Sequence, residues 1–413
     1  MKNKVLIKSL GCRLNQFEAD YIKSSFRSLG YSETDKDADI CIINTCTVTG
    51  KADKKSIQMI KKLKKENSNA KIIATGCLVQ TNKDDLKDLG SVDLFIDNID
   101  KLLITDIIKK KPVYERGSRV KYTVDRTRPF IKIQDGCDNI CTYCKVKYAR
   151  GKSRSEPLNS IVQTAENLAK EGYKEIVLTG VNIGDYRDRG RDLSVLLKEL
   201  VKIRTLKRIR LTSIEPAYIN DALLSILKHE KICKYFHVPL QSGSDKILKL
   251  MKRPYTALFY QEIITRLKAL STDVIIGTDI IVGFPDETDE DFYQTHDLLK
   301  ENNIFNTHIF RYSPRQGTEA YSYSNSIHEK VKYNRYNILK DLACKGKEEF
   351  YAGLIGNTIS VLIENKIHNN KYVTALSSNY IPVLLPAFKY KDKIYSIQSV
   401  KISKFTGGKI YAG

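Results

Sequence analysis

Short apolar runs alternate with amphipathic helical stretches along most of the 413 residues, and this alternation starts twice. Within residues 1–110, KVLIKSL, DADICIINTC, AKIIATGC and DLFIDN read as strands. NQFEADYIKSSFRSLG, KADKKSIQMIKKLKKENSN (with Ile57, Ile60 and Leu63 as its apolar positions) and KLLITDIIKK read as the intervening helices. Strands that are apolar almost throughout, rather than at every second position, belong to a parallel sheet covered on both faces. A doubly wound α/β domain is therefore expected first. The basic run KKKPVYERGSR at 109–119 then reads as a linker.

From Pro129 the pattern restarts. PFIKIQD, EIVLTG, RIRLTS, YFHVPLQ, VIIGTDIIVG and NTHIFRY give six strands, separated by helical segments such as PLNSIVQTAENLAKEG, LSVLLKELVKI and DFYQTHDLLKEN. Six βα units suit a partial (β/α)6 barrel better than the closed eight-unit form. A long basic helix follows at 328–351. From about Leu354, TISVLIE, KYVTAL, YIPVLLP and YSIQSVKI are short strands divided by turns, which predicts a small antiparallel β-barrel. The expected domains are 1–112, 123–353 and 354–413.

Charge narrows the partners. Lys plus Arg number 69 against 48 acids, a formal charge of +21. Such an excess suits a polyanion, since each neutralised phosphate releases condensed counterions; lysine-rich usage throughout is the alternative. Val5–Ile7 is too short an apolar run for a signal peptide, and the apolar stretch 274–284 is broken by Asp279 and too short for a bilayer. A cytoplasmic protein with no membrane partner is expected. Nine cysteines in that setting point to metal binding or catalysis rather than disulfides.

Three of them, Cys137, Cys141 and Cys144, form Cys-x3-Cys-x2-Cys, with Tyr143 before the last. This spacing matches neither a structural zinc site nor a plant-type ferredoxin. Three thiolates can hold three irons of a cubane cluster and leave the fourth open to a small molecule; a distant fourth ligand completing the site is the other reading. Cys137 follows the first strand of the barrel-like half, and sites in such folds gather at the C-terminal strand ends. Three more, Cys12, Cys46 and Cys77, each lie just past a strand of the first block. Their spacings of 34 and 31 residues are those of successive βα units, so the three can converge on one cluster. Cys41, Cys233 and Cys344 are expected to be structural thiols.

The cysteine motif with its aromatic resembles the radical S-adenosylmethionine superfamily, and the whole chain resembles its methylthiotransferases. SLGCRLNQFEAD, NTCTVTGKADKKS, IATGCLVQ, LTGVNIGDY, SIEP, HVPLQSGSDKILKLMKRPYT and TDIIVGFPDET carry the resemblance. The likeness implies a cluster domain, a radical barrel and a C-terminal TRAM domain. It also implies two [4Fe–4S] clusters, held by Cys12, Cys46 and Cys77 and by Cys137, Cys141 and Cys144. S-adenosylmethionine would bind the open iron, with Tyr143, Asn182, Ser213, Glu215 and Gln241 bordering its pocket. The cluster's electron would cleave the sulfonium bond, and the resulting 5′-deoxyadenosyl radical would attack a C–H bond that acid–base chemistry cannot.

GCRLNQFEAD and NTCTVTGKADKKS look most like the branch that places a methylthio group on C2 of N6-threonylcarbamoyladenosine at tRNA position 37. The implied partners are a tRNA anticodon stem-loop and a reductase or other electron donor, and a monomer is expected. Where the family commonly has two apolar residues and a proline after the third cysteine, this chain has Lys145, Val146 and Lys147, a departure that bears on the loop. Arg150, Lys152 and Arg154, just beyond, either meet RNA phosphates or are solvated. The lysines from Lys51 to Lys65 present the same choice. The rival functions are the isopentenyladenosine branch, a methylthiotransferase for a ribosomal protein, and a non-catalytic iron–sulfur RNA-binding protein. Reductive cleavage of S-adenosylmethionine separates the last from the enzymes.

Overall fold

The structure is a computed structural model that describes residues 3–111 and 122–413. Most of the expected linker, from residue 112 on, lies outside the described residues. The chain forms two compact units: Met1–Asp125 with Asp135–Arg154 and Ser313–Tyr321, and Arg126–Gln134 with Ser155–Tyr312 and Ser322–Gly413.

The first unit is built on a parallel sheet. Strands β1 (Lys4–Ser9), β2 (Ile40–Thr45), β3 (Lys71–Gly76) and β4 (Leu94–Ile96) pair in that order, and a two-residue strand, Ser32–Glu33, edges β1. Alternate residues of β2 feed opposite faces. Ile40 and Ile42 pack with Ile22 and Phe26 of helix α1 (Arg13–Ser28), while Cys41 and Ile43 pack with Ile60 and Leu63 of α2 (Gly50–Glu66). One apolar core on each side of the sheet explains why the strand sequences run apolar without alternation. Thr49 caps α2 by accepting the Ala52 N–H.

In the second unit, all six expected strands of the barrel-like half are present and parallel. They are β5 (Phe130–Lys132), β6 (Glu175–Thr179), β7 (Arg208–Leu211), β8 (Tyr235–His237), β9 (Ile275–Val282) and β10 (Asn306–Arg311). They form two three-stranded sheets, β5-β6-β7 and β8-β9-β10, joined by bridges at Ile209–Ile232 and Ser213–His237. The basic helix expected at 328–351 is Glu329–Ala352. Among the described residues no helix is long and apolar enough to cross a membrane.

The C-terminal segment closes into a barrel of five strands, β11 (Thr358–His368), β12 (Tyr372–Ser377), β13 (Pro382–Pro386), β14 (Ile397–Thr406) and β15 (Lys409–Ala412), in the order β11-β12-β13-β15-β14. It differs from the expectation in two ways. A fifth strand, KIYA, too short to stand out in the sequence, completes the closure. It pairs parallel to β13, so the barrel is not purely antiparallel. Closure removes the exposed strand edges that a four-stranded meander would leave.

This barrel shares its core with the six-stranded half. Tyr235 and Ile275 pack among Val361, Val373, Val383 and Val400. Beside them lies a buried charge cluster around Glu175. Arg210 Nε donates to its carboxylate at 2.7 Å, and Arg208 and Arg128 stand 3.7 and 3.9 Å away. The same arginines reach outward: Arg210 donates to the carbonyls of Ser377 and Ser378, and Arg208 to those of Leu376 and Ser360. Tyr380 stacks on Tyr235 and lies under the guanidinium of Arg210.

Candidate cluster and cofactor sites

Parallel strands β1, β2 and β3 end on the same edge of their sheet, where an open α/β fold collects ligands. Cys12 follows β1 by three residues, Cys46 follows β2 directly, and Cys77 follows β3 and opens helix α3 (Cys77–Thr81). Two glycines allow this packing. Gly11 has φ +95°, and a Cβ there would lie 2.5 Å from the Cys46 sulfur; Gly76 has φ +100°, and its Cβ would meet the Thr45 backbone at 2.5 Å. Only glycine tolerates both the left-handed backbone and that approach.

The structure therefore brings Cys12, Cys46 and Cys77 together, close enough for each charge to act on another's ionisation. Burial pushes the Cys46 thiol up to about 11. Among the described residues, the three metal-ligating groups whose donor atoms all fall within 4.8 Å of one another are His237, Asp279 and His308, so at least one separation among the three sulfurs is wider than that. A tetrahedral zinc at 2.3 Å from each sulfur would require roughly 3.8 Å between them. The donor set, all thiol and not gathered at that spacing, fits a polynuclear iron–sulfur cluster.

Cys137, Cys141 and Cys144 lie on a loop of this same compact unit. Gly136 turns the chain at φ +76°, Cys137 N–H donates to the Gly151 carbonyl, and Cys144 N–H to that of Cys141. The Val146 N–H points at the Cys144 sulfur from 3.4 Å, an approach that stabilises a thiolate. Tyr143 lies within the loop. The departure at Lys145, Val146 and Lys147 has a structural outcome: the loop passes straight into a short helix, α4 (Val146–Arg150), with Lys145 at its N-cap.

Arg150, at the end of α4, overturns both sequence-based alternatives, since it neither meets solvent nor is free for RNA. It is buried, and its guanidinium donates to Glu18 and Asp135, each at 2.9 Å, and to Asn15 at 2.6 Å. Lys101, 1 % exposed, reaches the other oxygen of Glu18 at 2.5 Å. Burial opposes ionisation of Glu18, but Lys101 and Arg150 outweigh it and hold its carboxyl at about 2. Asn15 donates in turn to the carbonyls of Leu10 and Thr45, the residues that lead into Cys12 and Cys46. One buried arginine thus ties the Cys137–Cys144 loop to the backbone that presents the other cysteines. Sequence reading missed this because Arg150 sits in an otherwise basic run.

The remaining cysteines divide. Cys41 and Cys233 are buried, as structural thiols would be, whereas Cys344 is exposed on the helix Glu329–Ala352.

In the second unit, the sequence-predicted cofactor residues lie past the C-terminal ends of barrel strands. Asn182 follows β6 and is buried, with both atoms of its amide lacking a protein partner. A buried amide left so is free to take up a ligand's hydrogen bonds. Its loop is fixed by Gln134, whose side-chain oxygen accepts the N–H groups of Val181 and Asn182 at 3.0 and 2.9 Å. Ser213 and Glu215 follow β7. Glu215 is raised by burial despite its ion pair with the buried Arg253. Gln241 follows β8 in a left-handed conformation, φ +69°, pinned by backbone bonds to Asp279 and Ile281. A strained non-glycine residue that its neighbours hold in place is common at ligand sites.

Comparison with known proteins agrees with this architecture. Residues 131–299 match the Radical SAM superfamily, and residues 4–97 match the Uncharacterized protein family UPF0004. The Threonylcarbamoyladenosine tRNA methylthiotransferase MtaB of Aquifex aeolicus is 38 % identical over 95 % of this chain and 99 % of its own. That of Bacillus subtilis is 35 % identical over 97 % and 94 %. The chain belongs to the radical S-adenosylmethionine tRNA methylthiotransferases. The tRNA-2-methylthio-N(6)-dimethylallyladenosine synthase of Thermodesulfovibrio yellowstonii is also 35 % identical, over 97 % and 96 %. Among solved structures, the radical S-adenosylmethionine methyltransferase TsrM of Kitasatospora setae shares the fold, with a TM-score of 0.59 at 14 % identity over 78 % of this chain and 77 % of that one. As a radical methylthiotransferase, the protein uses S-adenosylmethionine and [4Fe–4S] clusters.

Proposed function

We propose that this methylthiotransferase modifies C2 of N6-threonylcarbamoyladenosine at position 37 of tRNA. Cys137, Cys141 and Cys144 hold the cluster that binds S-adenosylmethionine, and Cys12, Cys46 and Cys77 hold the second. The observation that carries the two-cluster assignment is the convergence of Cys12, Cys46 and Cys77 at three adjacent parallel strand ends, in the same compact unit as the other cysteine loop.

Bound in these sites, the clusters supply the electron that cleaves the sulfonium bond and the place from which sulfur is delivered. The chain's own groups do the rest. The Val146 N–H favours the thiolate at Cys144, and Arg150 with Asn15 fixes the backbone that presents Cys12 and Cys46. In the barrel, the open amide of Asn182 and the strained Gln241 border the S-adenosylmethionine pocket with Ser213 and Glu215. The closed C-terminal barrel acts as a TRAM domain whose exposed lysines hold the tRNA. Anticodon-loop bases can be splayed from the stack and presented singly to such a site.

The threonylcarbamoyl branch is supported by the GCRLNQFEAD and NTCTVTGKADKKS segments and by full-length relatives that bear that name. Nucleoside analysis of tRNA from a strain lacking the gene tests it. Loss of the methylthiolated threonylcarbamoyl nucleoside is expected; loss of the methylthiolated isopentenyl nucleoside instead would move the enzyme to the sister branch.

A further inference from the structure

Strands β8, β9 and β10 place His237 beside Gly277, Asp279 beside His308, and Ile281 beside Phe310. Side chains alternate along a strand, so His237, Asp279, Ile281, His308 and Phe310 share one face of this sheet. The opposite face carries Thr278, which hydrogen-bonds the Tyr260 hydroxyl of the helix Ala257–Lys268 and is therefore the helix-covered side. The first face lines the interior of the open barrel.

On that face two imidazoles share one carboxylate oxygen. His237 Nε2 lies 3.0 Å from Asp279 Oδ1 and His308 Nδ1 lies 3.1 Å from it, with the two rings stacked at 5.2 Å. Burial opposes ionisation of Asp279, but the two histidines outweigh it and hold its carboxyl well below the usual range. His237, 7 % exposed, is accounted for as a buried partner of Asp279. His308 is not. Its side chain is 65 % exposed, and two residues further on Phe310 is 38 % exposed on the same face. Held at Nδ1 by the carboxylate, the His308 ring presents Nε2 outward beside an open aromatic surface.

We propose that His308, oriented by Asp279, is a specificity-determining contact for the acidic N6 substituent of the substrate adenine, with Phe310 packing against the substituent or base. An aromatic surface accepts a purine by stacking, which does not discriminate among substituents. With its Nδ1–H donating to Asp279, the ring offers the Nε2 lone pair as an acceptor for a hydroxyl or N–H of the substituent, a directed polar contact. An apolar N6 group would leave that nitrogen desolvated and unpaired. This inference rests on the threonylcarbamoyl reading.

The test compares anaerobic turnover by the cluster-loaded enzyme on tRNA carrying threonylcarbamoyladenosine and on the same tRNA lacking the substituent. Wild type, His308→Ala and His308→Gln are measured, and melting curves verify folding. Loss of this hydrogen bond should raise KM for the modified tRNA roughly threefold to tenfold in His308→Ala, with kcat changed much less. The preference over unsubstituted tRNA should fall by the same factor, and His308→Gln should recover part of it. A wild type indifferent to the substituent would overturn the substrate reading and this contact with it. A wild type that prefers the modified tRNA, together with an unchanged preference in His308→Ala, would overturn the contact alone. A metal ion beyond the cluster iron that is present in wild type and missing from His308→Ala would assign the three residues to a cation and also overturn it.

Discussion

Glu175→Gln is the substitution that most directly tests how the C-terminal barrel is secured to the rest of its unit. The side chain keeps its shape and loses its charge. Glu175 is fully buried, with Arg210 at 2.7 Å and Arg208 and Arg128 within 3.9 Å. At an effective dielectric of about 20, a pair of unit charges 4 Å apart is worth roughly 4 kcal/mol. Three such attractions are partly offset by repulsion among the arginines and by desolvation. Breaking a buried pair from one side typically costs about 3–5 kcal/mol, because the remaining charge cannot leave, and we expect a loss in that range. In a unit of this size each kcal/mol lowers Tm by roughly 2–4 °C, so a fall on the order of 10 °C is expected.

Thermal unfolding of the cluster-loaded protein measures this, and limited proteolysis near the end of the helix Glu329–Ala352 reports whether the barrel is released. The pH dependence has a definite sign. The arginines overcome burial and lower the pKa of Glu175, so its contribution is present above the ordinary carboxylate pKa. It is lost as pH falls through the depressed value. A Tm unchanged within about 1–2 °C, with no new cleavage, would refute the idea that this cluster fastens the barrel.

Cys141→Ala should abolish reductive cleavage of S-adenosylmethionine, and undiminished release of 5′-deoxyadenosine would reject Cys141 as a ligand. Cys46→Ala should retain that cleavage, lose roughly half the iron if two similar clusters are bound, and give no methylthiolated nucleoside; unchanged iron with normal product would make Cys46 an ordinary core thiol. Asn182→Ala should raise the concentration of S-adenosylmethionine needed for cleavage about tenfold, because a buried amide would lose its ligand, while iron content stays the same. Lys389, Lys391, Lys393, Lys401, Lys404 and Lys409 are all exposed on or beside the C-terminal barrel. Replacing four of them with Gln should make log affinity for tRNA fall less steeply with log salt, by roughly 0.7–0.9 for each phosphate no longer neutralised, and an unchanged slope would remove the barrel's RNA-gripping role.

The strand–helix alternation was legible because burial on two faces writes itself into consecutive residues. Ile40 to Ile43 had to be apolar throughout once helices covered both sides of β2. The placement of Cys12, Cys46 and Cys77 was legible for a related reason: chain spacing and strand-end position are local properties. KIYA at 409–412 was not, because four residues acquire meaning only from the partner strands that close the barrel. Arg150 was hidden by its surroundings. Its neighbours Lys147, Lys152 and Arg154 are basic, and only the fold shows that Glu18, 132 residues earlier, waits for one of them.

The same limit explains the three barrel-face residues. His237, Asp279 and His308 come from three strands spread over 72 residues, and each alone reads as a strand residue of no special kind. What joins them is register: parallel pairing sets Asp279 level with His308 and one step along from His237. A slip of one residue in β10 would turn His308 toward the helix side and bring Ile309 onto the interior face. The polar contact there is thus specified by the same hydrogen-bond ladder that builds the barrel. A change at the β10 register, which carries no cysteine, should alter substrate choice while iron content stays the same.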